Sequence, residues 1–153
     1  TSFPGLYGWF FFFFNTLPLS SNVGTMKKFL SAVKTLLARN EKILIYPEQG
    51  MWWNYRKPRP TEPGAYKIAA MNKVPIIPLF ITMNDSELIG GDGFPIQEYT
   101  IHILPAIFPK EDAGVKENCE FLKEENYRVC KEVYEKVYGI PLVYDGKNYT
   151  DVK

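Results

Sequence analysis

The segment KILIYPEQG, residues 42–50, decides the fold class that the sequence predicts. Residues 43–46 form a short apolar run of β-branched and aromatic side chains, which is typical of a buried strand and favours parallel pairing. Pro47 ends the run, and Glu48 and Gly50 follow at once. Because open α/β sheets bind ligands beyond the carboxyl ends of their strands, this order predicts a carboxylate at the mouth of a binding site.

Helical and extended patterns alternate on both sides of that segment. The predicted elements are a helix over about 25–39 that starts at Gly24 and Thr25, the strand over 43–46, a loop to Pro63, a helix over 64–72, a strand over 74–82, a turn-rich stretch over 83–97, a strand over 99–107, a charged helix over 112–138 and an irregular tail after Pro141. This order predicts one α/β domain over residues 1–153, with a mixed, mostly parallel sheet flanked by helices. No helix lies between the strand at 74–82 and the strand at 99–107, so the latter is expected to pair antiparallel.

Composition and charge narrow the classes of function. The chain has 153 residues, 46% of them apolar and 23% charged, which is typical of a folded domain. A net charge of +1 gives no overall field to attract nucleic acid, so any anion site must be local.

The apolar run at 9–14 is too short to span a membrane and is expected to be a buried strand or helix turn, or a segment that dips into a membrane interface. Cys119 and Cys130 lie eleven positions apart on a predicted helix, which separates them by roughly 16 Å along its axis. Because this distance is too large for a disulfide, both cysteines are expected to stay reduced.

The loop after the first strand concentrates positive charge. It mixes aromatic and basic side chains: Trp52, Trp53, Tyr55, Arg56, Lys57 and Arg59. Pro58 and Pro60 stiffen it, and guanidinium and ammonium groups are suited to phosphate. The loop therefore predicts a local anion site, and the alternative is a surface loop whose cations stack on its own aromatic rings.

The ordered motifs from Leu17 to Ile81 resemble the glycerol-phosphate acyltransferase superfamily, most closely its 1-acylglycerol-3-phosphate acyltransferases. The matching features are a strand that ends in Pro47-Glu48, a glycine close after it, a basic loop, Gly64-Ala65 before a helix, and Val74-Pro75-Ile76-Ile77-Pro78. The resemblance implies a glycerol-3-phosphate acyltransferase-like fold, present here as a partial domain.

The resemblance also implies roles in binding the acyl acceptor. Glu48 would hold a substrate hydroxyl or orient a cation, Gly50 would let the substrate approach the backbone, and Pro78 would line the site. The family's arginine after the glutamate is Met51 here, so phosphate binding is expected to pass to Arg56, Lys57 or Arg59. The family's earlier arginine has no counterpart in residues 17–21, where Ser20 and Ser21 are weak substitutes.

The family's catalytic histidine, followed five positions later by an aspartate, has no match in this sequence. The one histidine is His102, the residue five positions on is Ile107, and the surrounding run YTIHILPAI predicts a histidine satisfied within a strand. No catalytic residue, metal ligand set or cofactor is therefore predicted, and the catalytic pair is expected upstream of Thr1 in a longer chain.

Two functions follow as expectations. In the first, the chain is the acceptor-binding part of an enzyme that transfers a fatty acyl group from acyl-CoA or acyl-carrier protein to a lysophosphatidate-type lipid at the cytoplasmic face of a membrane. In the second, it is a non-catalytic lipid- or phosphate-binding module of the same fold. Because a partial sheet leaves an edge unpaired and an apolar face exposed, self-association is also expected.

Overall fold

The computed structural model describes residues 22–48, 50 and 56–144. The apolar run at 9–14, Ser20, Ser21, Met51, the aromatic residues of the basic loop and the tail from residue 145 lie outside these ranges. The elements are α1 (Val23–Ala38), α2 (Gly64–Asn72), β1 (Leu79–Ile89), β2 (Pro95–Ile103) and α3 (Val115–Tyr138). Contacts divide the chain into two units, one ending at Leu44 and the other starting at Ile45. The prediction of a single domain stays a prediction.

Helix α1 belongs to the first unit and confirms the predicted helix. Its start differs, because the side chain of Asn22 caps it by accepting hydrogen bonds from the backbone N–H groups of Gly24 (2.9 Å) and Thr25 (3.2 Å). Asparagine satisfies the first free N–H groups of a helix, so the helix begins two residues before the predicted start. Val33 is buried, and Lys27, Lys28 and Lys34 are exposed.

The predicted strand over 43–46 is wrong. These residues have no regular secondary structure, and the side chains of Leu44 and Tyr46 are 64% and 76% exposed. The boundary between the two units also falls within this run. An apolar run becomes a strand only where another strand pairs with it, and the described part of the chain provides no such neighbour.

The sheet of the second unit is an antiparallel hairpin, so the predicted mostly parallel sheet is not found among the described residues. Strand β1 pairs with β2 in a register that sets Leu79 opposite Ile103 and Ile81 opposite Ile101. Antiparallel pairing of the strand containing Tyr99 is confirmed. The pairing is antiparallel because β1 and β2 follow each other through a tight turn, at which Gly93 has a φ of 82°.

The strands are displaced from the predicted bounds. Strand β1 extends to Ile89, through half of the predicted turn-rich stretch, and starts only at Leu79. Pro75 and Pro78 lack the N–H that a ladder needs, and residues 74–78 contribute one isolated bridge between Ile76 and Ile107.

The core of the second unit lies between α2, α3 and one face of the hairpin. Tyr66, Ala69 and Ala70 of α2 pack with Leu122 of α3, whose side chain is 0% exposed. Phe80 packs with Tyr134 of α3 and with Leu142, which is buried although the tail around it is irregular. Both predicted helices are thereby confirmed, and Gly139 caps the end of α3 in the left-handed conformation, with a φ of 68°.

The other face of the hairpin is apolar and exposed. It consists of the cross-strand pairs of Leu79 with Ile103 and Ile81 with Ile101, whose side chains are 47–74% exposed. Alternation along a strand explains why Phe80 and Thr82 are buried while their neighbours are not.

Candidate functional site

Glu48 is the centre of the candidate site. The backbone N–H of Arg59 donates a hydrogen bond of 2.9 Å to its carboxylate oxygen Oε2. Burial raises the pKa of this carboxyl group above its usual value, while the hydrogen bond and the positive charge of Arg59 act in the opposite direction. The sequence thus identified a carboxylate that the fold holds part-buried, next to the basic loop.

Two further contacts close the loop around this carboxylate. The N–H of Glu62 donates to the carbonyl of Pro47 at 2.8 Å, so the residue before Glu48 is joined to the residue three positions after Arg59. The side chain of Arg59 lies against Gly50, where a Cβ atom would collide with its guanidinium group. Gly50 therefore leaves room for Arg59, a close approach that differs from the predicted approach of a substrate.

The other two cations of the loop have different partners. A guanidinium nitrogen of Arg56 lies 2.7 Å from a carboxylate oxygen of Asp85 on β1, with about half of each side chain exposed. Hydrogen bonds from Gln97 and Arg56 lower the pKa of Asp85. The ammonium of Lys57 lies 5.2 Å from the ring centroid of Tyr144. The predicted cations are thus near one another in sequence and directed to separate groups in the fold.

Tyrosines from distant parts of the chain fix the loop. The hydroxyl of Tyr66 donates to Oγ1 of Thr61 at 2.9 Å and accepts from Nδ2 of Asn126 at 2.9 Å. The hydroxyl of Tyr144 donates to the carbonyl of Pro58 at 2.8 Å. These tyrosines were not predictable from the sequence, because single aromatic residues in α2 and in an irregular segment carry no motif.

Pro78 is buried immediately before β1, and its carbonyl accepts a hydrogen bond of 3.0 Å from the N–H of Leu104. The hydrogen bonds from Arg59 to Glu48 and from Glu62 to Pro47 do not include it. Its predicted role in lining the site therefore rests on the family resemblance alone.

His102 has the environment predicted for a structural histidine. It lies in β2, and its Nε2 is 2.9 Å from Oγ1 of Thr82, a threonine that is only 1% exposed. Its hydrogen-bond partner is a hydroxyl group and not the carboxylate that would orient a catalytic base. Within the described ranges, no group of three or more possible metal ligands occurs.

Cys130 lies within electrostatic reach of the site. Burial, and secondarily the negative charge of Glu48, raise the pKa of its thiol to about 11. Both cysteines are free, as predicted. A thiol with this pKa is protonated and unreactive at neutral pH.

The geometry thus defines an α/β protein with a part-buried carboxylate held against a basic loop, an arrangement that can accept a hydrogen bond from a ligand hydroxyl beside an anion. A family model described as Acyltransferase matches residues 2–82, which include Glu48, the loop and Pro78. The match covers more than half of the chain, and the chain belongs to this acyltransferase family. No curated protein and no solved structure gave a match. None of the helices in the described ranges has the length and apolar character that spanning a bilayer requires.

Proposed function

We propose that this chain supplies the acceptor-binding part of an acyltransferase that moves a fatty acyl group from acyl-CoA or acyl-carrier protein to a lysophosphatidate-type glycerolipid in phospholipid biosynthesis. The acceptor reaches the site from the cytoplasmic face of the membrane, with which the protein associates. The observation that carries the proposal is the Glu48 carboxylate, part-buried and bonded to the basic loop, inside the segment that matches the family.

Glu48 is suited to the hydroxyl of the acceptor. Its Oε2 accepts a hydrogen bond from the N–H of Arg59, which leaves the second carboxylate oxygen with capacity to accept a hydrogen bond from a ligand hydroxyl. A hydrogen bond to a charged group contributes about 1.5–3 kcal/mol, enough to orient a small polar headgroup.

The phosphate of the acceptor would be bound by the basic loop. Arg56 is the side chain best placed to exchange partners, because its ion pair with Asp85 is about half exposed on both sides. Ion pairs this exposed to solvent contribute little to stability, so a doubly charged phosphate can replace the carboxylate at little cost. Lys57 and Arg59 add charge beside it.

A non-catalytic lipid- or phosphate-binding module is the second candidate. The observation that favours it is that the one histidine of the chain bonds to Thr82 and is not followed by the family's aspartate. On this alternative the same residues bind the same headgroup, and no acyl transfer follows.

Calorimetric titration of the chain with monomeric 1-octanoyl-lysophosphatidate tests the binding site. We expect saturable binding that is lost in the double variant Arg56→Ala/Arg59→Ala and retained in the control Lys27→Ala/Lys28→Ala, which removes equal charge from the exposed face of α1. Equal binding by the two variants would contradict the assignment. Acyl transfer is then assayed with a chain extended upstream to include a His-x4-Asp pair, and binding without transfer in that longer chain favours the module.

A further inference from the structure

The segment after α3 folds back and is anchored on that helix. Leu142 is 1% exposed, and its N–H donates to a carboxylate oxygen of Glu135 at 2.9 Å. Its carbonyl accepts a hydrogen bond of 3.1 Å from the hydroxyl of Tyr127. Both sides of this short segment are therefore fixed, although it has no regular secondary structure.

This anchoring places Tyr144 against the basic loop. Its hydroxyl donates to the carbonyl of Pro58 at 2.8 Å, and the Lys57 ammonium lies 5.2 Å from its ring centroid. Its ring is also 6.0 Å from that of Tyr127, centroid to centroid. Tyr144 is therefore contacted by α3 on one side and by the basic loop on the other.

The bond to Pro58 acts on the same peptide group that Glu48 binds. The carbonyl of Pro58 and the N–H of Arg59 belong to one planar peptide unit. Tyr144 holds the oxygen of this unit at 2.8 Å, and the Glu48 carboxylate holds its N–H at 2.9 Å. Hydrogen bonds on both ends of one amide strengthen each other and fix the orientation of its plane.

We propose that Tyr144 is a positioning residue for the acceptor site, holding the Pro58–Arg59 peptide so that its N–H orients the Glu48 carboxylate. The inference rests on the proposed function, because it assigns Tyr144 a role in acceptor binding by that site. Tyr144 lies outside residues 2–82, so the family match does not include it. It acts through Arg59 and Glu48 and does not itself contact the acceptor.

The test compares the full chain with Tyr144→Phe, which keeps the ring and removes the hydroxyl. Nuclear magnetic resonance measures hydrogen exchange at the Arg59 amide and the titration of the Glu48 carboxyl. We expect Arg59 exchange to accelerate about fivefold to tenfold, the effect of losing one hydrogen bond. Because the Arg59 hydrogen bond lowers the pKa of Glu48, its weakening should move the Glu48 titration to higher pH.

Binding of 1-octanoyl-lysophosphatidate is measured on the same samples and should weaken about fivefold. Tyr99→Phe is the matched control, since it removes the hydroxyl of a tyrosine on the exposed hairpin face, 59% exposed. Tyr127→Phe is a second variant that releases the carbonyl of Leu142 without altering Tyr144, and we expect it to move all three quantities in the same direction. It keeps the test decisive if Tyr144→Phe does not fold.

The outcomes separate the inference from the proposed function. Changes in exchange, titration and affinity together support the positioning role. Unchanged exchange and titration in Tyr144→Phe overturn it, and so does an unchanged affinity when the other two quantities move. If the wild-type chain does not bind the probe, the proposed acceptor site fails first, and the role of Tyr144 in it falls as a consequence.

Discussion

Replacing Glu48 by glutamine separates the contribution of this side chain to stability from its contribution to binding. The amide oxygen of glutamine can still accept the 2.9 Å hydrogen bond from the Arg59 N–H. What the substitution removes is the negative charge. Because burial is the largest cause of the raised pKa of Glu48, that charge destabilises the folded chain at neutral pH.

The sign of the pH dependence follows from the direction of the pKa shift. A carboxyl group with a raised pKa in the folded state favours folding while it is protonated and loses that contribution as pH rises through the folded pKa. The wild-type free energy of unfolding should therefore fall, relative to that of Glu48→Gln, in a window that opens near the ordinary value of 4.5 and extends above it. The carboxylate is partly exposed, so screening keeps the difference at neutral pH below about 1 kcal/mol.

The expected effect on binding is larger and has the opposite sign. Glutamine replaces a hydrogen bond to a charged acceptor by a neutral one, which loses about 1.5 kcal/mol. This loss corresponds to roughly tenfold weaker binding of 1-octanoyl-lysophosphatidate. A substitution that raises the free energy of unfolding and lowers the affinity for the ligand identifies a side chain that functions in binding.

Urea unfolding at pH 4.5 and pH 7.5, with calorimetric titration at pH 7.5, measures both quantities. Glu62→Gln is the control, because Glu62 belongs to the same loop and its side chain is exposed. We expect the control to match the wild type in both assays. A Glu48→Gln variant that is more than about 1 kcal/mol less stable at pH 7.5, or that binds as tightly as the wild type, would refute the reasoning.

Three further perturbations test the fold around the site. Leu122→Ala should lower the free energy of unfolding by about 2–5 kcal/mol in urea titrations, because Leu122 is 0% exposed. Leu88→Ala is the control, at a side chain that is 67% exposed. A loss for Leu122→Ala no greater than that of the control would contradict the core assignment. In the variant Cys119→Ser, Cys130 should react with iodoacetamide at pH 8 on the order of 100-fold more slowly in the folded than in the unfolded chain. The reason is that a pKa of about 11 leaves little thiolate. Equal rates in the two states would refute the burial of Cys130. The exposed hairpin face should drive reversible association of two copies of the chain. Ile101→Thr, at a side chain 61% exposed, should weaken this association in sedimentation velocity. A wild-type chain that is monomeric at every concentration would exclude it.

The helices were predictable because the forces that specify them are local. Apolar residues at three- and four-residue steps predicted α1, α2 and α3 to within a few residues of their observed ends. The capping residue of α1 was the exception, because Asn22 and Thr25 are both suited to a cap and only the backbone at that point selects between them.

The strands were less predictable because a strand depends on its partner. Residues 43–46 have the composition of a buried strand and no neighbour among the described residues. Residues 83–89 have the composition of a turn and form the later part of β1, because β2 pairs with residues 83–85 and, beyond a register shift, with Ile89 opposite Pro95. Composition indicates the capacity to be a strand, and pairing decides which runs become one.

The sequence by itself determined the acyltransferase family and the three helices, and it pointed to Glu48 with a basic loop as the candidate site. These depend on motifs and periodicities that lie within short segments. Only the tertiary structure decided that the three cations turn to separate partners and that Tyr144 and Glu48 hold the two ends of one peptide group. The physical reason is separation along the chain: Tyr144 and Pro58 are 86 residues apart, and such a contact forms only when the fold around α3 brings them together.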